Sequence, residues 1–202
     1  MGHGDTHTDI SRFDTEVYAD RLRRAAALTA ADGLDAIVVG TGPDLQYLTG
    51  AVADTFERLT ALVVPATGTP AVVTARLELA SLRASAIGDL GLTVRDWVDG
   101  DDPYALALQG LPDDPALGVS DALPALHVIP LAQRTAQPVT LATPVLRELR
   151  MLKDPAELDA LRTAGAAIDR VHARMGEWLR PGRTEAQVAA DITAAIVAEG
   201  HH

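Results

Sequence analysis

Residues 149–169, from Leu149 to Asp169, read LRMLKDPAELDALRTAGAAID. One helix ends in this stretch and another begins. Asp154 suits an N-cap, Pro155 the first helical position and Glu157 the acid of a capping box, so a helix is predicted to start here. Upstream, short apolar runs alternate with helical periodicity. Downstream, everything reads as helix. The stretch is therefore a hinge between an α/β domain and the opening of a second domain.

Working back from the hinge, Val139 to Met151 reads as a helix opened by Thr143-Pro144. Asp121 to Leu131 has no decisive pattern, although Pro124 suits a first helical turn. Leu117 to Val119, Leu92 to Trp97 and Asp35 to Gly40 are short apolar runs of the kind a sheet covered on both faces produces. Leu59 to Val64 and Ala71 to Thr74 are predicted to form a hairpin across the loop Pro65 to Pro70. Leu77 to Ala86 is predicted helical on Leu77, Leu79, Ala80, Leu82 and Ala86, and Tyr104 to Gln109 forms a short helix. Asp14 to Ala31 is an amphipathic helix with Val17, Leu22, Ala25, Ala26 and Leu28 near one face, stopped by Asp32-Gly33. The basic run Arg21-Leu22-Arg23-Arg24 is expected on its wet face.

Working forward, Asp154 to Trp178 is one long helix with Leu158, Leu161, Gly165, Ile168, Val171 or His172, and Met175 in a stripe. Arg180 to Arg183 is a turn. Thr184, with Gln187 three residues on, caps a last helix whose stripe is Val188, Ile192, Ala195 and Ile196. Two such stripes bury poorly as an isolated pair. Either they pack back on the first domain, or they open a domain whose sheet lies beyond His202. The fresh capping at Asp154 favours the second.

Composition bounds the chemistry. The chain has 202 residues, 48% hydrophobic, with no cysteine, which removes thiolate metal sites, disulfides and a cysteine nucleophile. A net charge of −11 argues against nucleic acid as a partner. No window approaches the apolar length a membrane span needs, and the polar lead is no signal peptide, so a cytoplasmic protein is expected.

Few side chains suggest a site. Met1-Gly2-His3, with His7, Asp5 and Asp9 nearby, can hold adventitious copper or nickel. Gly40-Thr41-Gly42 is a weak phosphate-loop signal, set against a turn into a short helix at Pro43. Asp99, Asp101 and Asp102 suit either a hard cation or the N-cap of the next helix. His127 has no His or carboxylate at metal-ligand spacing. No G-x-S-x-G, H-E-x-x-H or P-loop is present, which weighs against a complete hydrolase of another class.

The hinge LRMLKDPAEL (149–158), the later PGRTE (181–185), the segment QYLTG (46–50) and the strand ERLTALVVP (57–65) together resemble the creatinase, aminopeptidase P and prolidase family. The resemblance runs from about Tyr18 to Gly200 and implies a three-layer α-β-α creatinase-like domain with a mixed central sheet. Two helices of an incomplete pita-bread α+β domain then follow. The implied boundaries are a flexible lead at 1–14, the creatinase-like domain at 15–151 and the opening helices at 152–202. The implied activity is hydrolysis of the bond before proline in a dipeptide or at a peptide amino terminus. The family holds two divalent metals, often manganese, cobalt or zinc, on two Asp, one His and two Glu. None of those ligands maps onto this chain, so it is expected to hold no metal and no catalytic residue and to be inactive alone. A homodimer is implied, in which this domain narrows the partner's active site. Phe56 and Arg58, after the YLTG segment, are the implied rim residues. Arg58 is read either as pairing with a substrate carboxylate or as a surface salt bridge to Glu57 or Asp54. A creatinase-type amidinohydrolase and a non-enzymatic dimerisation module are the alternatives.

Overall fold

A computed structural model describes residues 13–53 and 57–201. These divide into two compact units, one ending at Leu152 and the other starting at Lys153.

The first unit is built on a six-stranded sheet. Its strands are β1 (Ala36–Gly40), β2 (Ala61–Pro65), β3 (Ala71–Ala75), β4 (Thr93–Trp97), β5 (Leu117–Val119) and β6 (Thr140–Leu141). Their order is β4-β3-β2-β1-β5-β6. β2 runs antiparallel to β1 and β3, while the β3–β4, β1–β5 and β5–β6 pairs are parallel, so the sheet is mixed. The helices are α1 (Thr15–Ala31), α2 (Pro43–Thr49), α3 (Pro103–Leu108), α4 (Ala125–Ala132) and α5 (Thr143–Met151).

Strand alternation separates two cores. Ile37, Val39, Leu62, Val64 and Val72 point to one face, where they meet Leu22 and Ala25 of α1, Leu45 and Leu48 of α2, and Val145 and Leu149 of α5. Ala36, Val38, Ala61, Val63 and Val73 point to the other and pack with Ala107, Leu123 and Leu131. Because successive strand residues face opposite ways, continuous apolar runs become a sheet buried on both sides. The result is the three-layer α-β-α arrangement.

Several local expectations are corrected. Leu77 to Ala86 is not an α-helix but two 3₁₀ turns, Arg76–Glu78 and Ser81–Ala84. There the Ser85 hydroxyl takes the Leu82 carbonyl and accepts from the Ile87 amide, competing with the helical ladder. Val139 to Met151 is not one helix: Thr140 and Leu141 pair with Gly118 and Val119, and α5 starts only at Thr143. Pro144 has no N–H, which suits a first turn and not a helix interior. The undecided stretch after Asp121 holds α4, with Pro130 inside it. Pro130 cannot donate to the carbonyl of Leu126, and the Tyr104 hydroxyl sits 3.4 Å from that oxygen. Arg21, expected on the wet face of α1, is only 2% exposed, whereas Arg23 and Arg24 face water.

The second unit has α6 (Pro155–Ala173), α7 (Met175–Trp178) and α8 (Glu185–Ala198). Both capping boxes form. Asp154 accepts from the Glu157 amide at 2.8 Å while Glu157 accepts from the Asp154 amide at 2.9 Å. Thr184 and Gln187 do the same for α8. The expected single helix from Asp154 to Trp178 breaks at Arg174, and Trp178 packs with Val171, Val188 and Ala195. The predicted stripe on α6 is covered only in part. Val171 is buried, but Leu158 (40%), Leu161 (56%) and Ile168 (39%) are exposed.

Candidate functional site: the Arg58 rim and the YLTG turn

Arg58 stands just before β2, where two interactions hold the start of the strand. Leu59 is buried and its carbonyl accepts the indole N–H of Trp97 at 3.1 Å. The hydroxyls of Thr60 and Thr74 lie 3.0 Å apart, both buried. Trp97 closes β4, and the chain then turns as the Val98 amide donates to the Asp101 carboxylate. This turn carries Asp99. β3 lies between β2 and β4, so the start of β2 and the end of β4 meet at one end of the sheet.

There Arg58 Nη2 reaches both oxygens of Asp99, at 3.3 and 3.4 Å. Among the described residues the carboxylate partner of Arg58 is thus not the expected Glu57 but a residue 41 positions away, while Asp54, the other expected partner, lies outside the described residues. The arginine side chain is 39% exposed and the aspartate 81%. An ion pair this wet contributes about 0–1 kcal/mol, so another carboxylate can take the place of Asp99 at little cost. Phe56, named with Arg58 as a rim residue, and the histidines of the lead lie outside the described residues.

The acidic cluster resolves into separate duties. Asp102 caps α3, accepting from the amides of Tyr104 and Ala105 at 3.0 and 3.1 Å, and pairs with Arg134 at 2.8 Å. That guanidinium, with the two amides, holds the Asp102 carboxyl below its usual value. His127 is buried, with Nδ1 3.1 Å from the Tyr104 hydroxyl, and burial raises the Tyr104 phenol. Among the described residues, no three or more His, Asp or Glu side chains gather as a metal ion requires, so they do not fit a di-metal centre. Gly40 does not act as a phosphate loop: its amide donates to the Ser120 hydroxyl at 3.0 Å, and a Cβ there would stand 2.8 Å from Leu123 Cδ1.

The YLTG segment is architectural. The Tyr47 hydroxyl donates to the carbonyl of Leu149, and the Tyr47 ring lies 4.1 Å from the guanidinium of buried Arg21. Leu48 is core. The Thr49 hydroxyl donates to the Leu45 carbonyl and accepts from the Ala51 amide. Gly50 ends α2 at φ 71°, and a Cβ there would come within 2.8 Å of the Tyr18 hydroxyl oxygen. Sequence reasoning missed Arg21 and Tyr18 in this arrangement. Both lie on the buried stripe of α1 with Leu22, Ala25 and Thr29, and the pattern 18, 21, 22, 25, 29 is the signal that marks it.

No described helix is long and apolar enough to cross a membrane. Among known proteins, the probable dipeptidase PepE of Mycobacterium bovis is 63% identical over 191 residues, covering 94% of this chain and 51% of the relative. The crystal structure of dipeptidase PepE from Mycobacterium ulcerans superposes with a TM-score of 0.86 at 62% identity, again over 94% of this chain and 51% of the other. A crystal structure of a proline dipeptidase from Streptococcus pneumoniae, 26% identical with a TM-score of 0.55, is covered over 98% of its length by 65% of this chain. The chain spans about half the length of the curated relatives it matches. Residues 21–152 match the Creatinase/Prolidase N-terminal domain, and the chain belongs to that family.

Proposed function

We propose that the chain is the amino-terminal part of a dipeptidase that hydrolyses the bond before proline, with a creatinase-like domain at 15–151 and the first helices of the catalytic domain at 152–202. The observation that carries the reading is the 63% identity to a probable dipeptidase twice as long, together with the exposed Leu158, Leu161 and Ile168 on α6. Apolar side chains at helical spacing gain free energy only when something covers them. In this reading the cover is the sheet of the catalytic domain, and two divalent metals belong to that absent sheet.

The role of this chain is then to dimerise and to narrow the partner's active site from the end of the sheet that carries Arg58, with Phe56 as the second rim residue by its place in the sequence. Arg58 exchanges Asp99 for the carboxylate of a short substrate, a planar fork meeting a planar acceptor. The protein acts in the cytoplasm on proline-containing dipeptides. The test is a fusion of this chain to the second half of the 63%-identical relative. The fusion is expected to release proline from an Xaa-Pro dipeptide, and Arg58→Ala in it to raise KM about tenfold with a smaller change in kcat. Unchanged KM removes Arg58 from the rim. Hydrolysis of creatine in place of the dipeptide assigns the protein to the amidinohydrolase branch.

A further inference from the structure

The opposite end of the sheet carries a second polar site, independent of the dipeptidase reading. A cleft of about 240 Å³ opens where the β2–β3 loop faces the turn after α3. Thr67 and Thr69 line it from the loop, Thr93 and Arg95 from β4, and Gln109 and Gly110 from the turn.

Arg95 is the group that gives this cleft its chemistry. It is half-buried, and its Nη1 is pinned to the carbonyl of Leu106 at 2.8 Å. Its Nη2 lies beside Gly110, which has no side chain to cover it; a Cβ there would stand 3.9 Å from that nitrogen. Acidic residues outnumber basic ones 28 to 17, and Arg23, Arg58, Arg76, Arg134 and Arg150 each pair with a carboxylate. Arg95 makes no ion pair among the described residues. Arg83, Arg147 and Arg180 make none there either, but they lie exposed, where water solvates them. Partial burial lowers the Arg95 pKa. A guanidinium with an unused edge is a ready donor to an anion that reaches it.

We infer that this cleft binds a small oxyanion, a carboxylate or phosphate group, on the free edge of the Arg95 guanidinium, with the threonine hydroxyls and the Gln109 amide as further donors. A planar guanidinium offers paired donors to such a group, and charge-assisted hydrogen bonds are the stronger kind. The three hydroxyls and one amide suit a ligand of one charged group and little apolar surface.

The test is titration of the 202-residue chain with sodium phosphate and, separately, sodium acetate at constant ionic strength, followed by amide chemical shifts. Saturable shifts confined to residues 67–71, 93–95 and 109–111 are expected for at least one anion, and the tighter one names the class. Arg95→Gln is expected to weaken binding about tenfold or more, and Thr93→Val, which keeps the cation, several-fold less. Far-ultraviolet circular dichroism checks that both variants are folded. If Arg95→Gln fails to fold, Thr93→Val and Gln109→Ala carry the test, and loss of affinity in either supports the site. No saturable shift at these residues with either anion, or equal shifts in a folded Arg95→Gln chain, overturns the proposal.

Discussion

The Tyr47 hydroxyl donates to the Leu149 carbonyl across 3.1 Å, tying residues 102 apart in sequence. Leu149 lies in the last turn of α5, where a helix leaves its carbonyls without intrahelical partners. The YLTG segment thereby anchors the end of the first unit. Tyr47→Phe keeps the ring beside Arg21 and removes this bond. It is expected to cost about 1 kcal/mol, read as a fall of a few degrees in the thermal midpoint of the first unit.

Gly50 and Gly33 form a matched pair. Both adopt left-handed backbone, at φ 71° and 74°. A Cβ at Gly33 meets nothing within 4 Å, whereas one at Gly50 collides with the Tyr18 hydroxyl. Gly33→Ala is expected to lose about 1 kcal/mol from backbone strain alone. Gly50→Ala is expected to lose clearly more, in denaturant titrations run side by side, and Tyr18→Phe in the Gly50→Ala background should restore part of the difference.

The capping box on α6 predicts a local effect. Asp154→Ala removes the acceptor for the Glu157 amide and is expected to cost about 1 kcal/mol of helix stability. Amide exchange should quicken in the first turns of α6 and stay unchanged in the sheet of the first unit. Uniform acceleration throughout would show that the two units unfold together.

Acid should weaken the cap of α3. Arg134 and the amides of Tyr104 and Ala105 hold Asp102 below the ordinary carboxylate value of 3.8. A carboxyl whose folded pKa lies below its unfolded one stabilises the fold above the unfolded value, and that contribution disappears as pH falls through the folded value. Asp102→Asn is therefore expected to be less stable than the parent near neutrality, and the gap should narrow as pH drops below about 4. Urea midpoints from about pH 6 to about pH 3 read it. A gap that widens in acid would mean that Asp102 is held protonated.

The layers of the fold were legible because continuous apolar runs such as AIVVG (36–40) and ALVVP (61–65) admit few other arrangements. The capping boxes at Asp154 and Thr184 were legible because their geometry is set within four residues. The two 3₁₀ turns between β3 and β4 were not, since a serine hydroxyl competing for one carbonyl leaves no periodic trace. Nor was the inward turn of Arg21: its burial depends on Tyr47, 26 residues away, and a basic run viewed alone looks solvated. The partner of Arg58 was missed for the same reason. Glu57 is near in sequence, but the order of β2, β3 and β4 brings Asp99 to the arginine.

The most direct measurement is proline release from an Xaa-Pro dipeptide by the purified 202-residue chain, with manganese, cobalt or zinc added in turn. We expect no release above the uncatalysed background with any of the three, and release once the chain is joined to the second half of its dipeptidase relative. Metal-dependent release by the 202-residue chain alone would contradict the placement of the catalytic centre outside these residues.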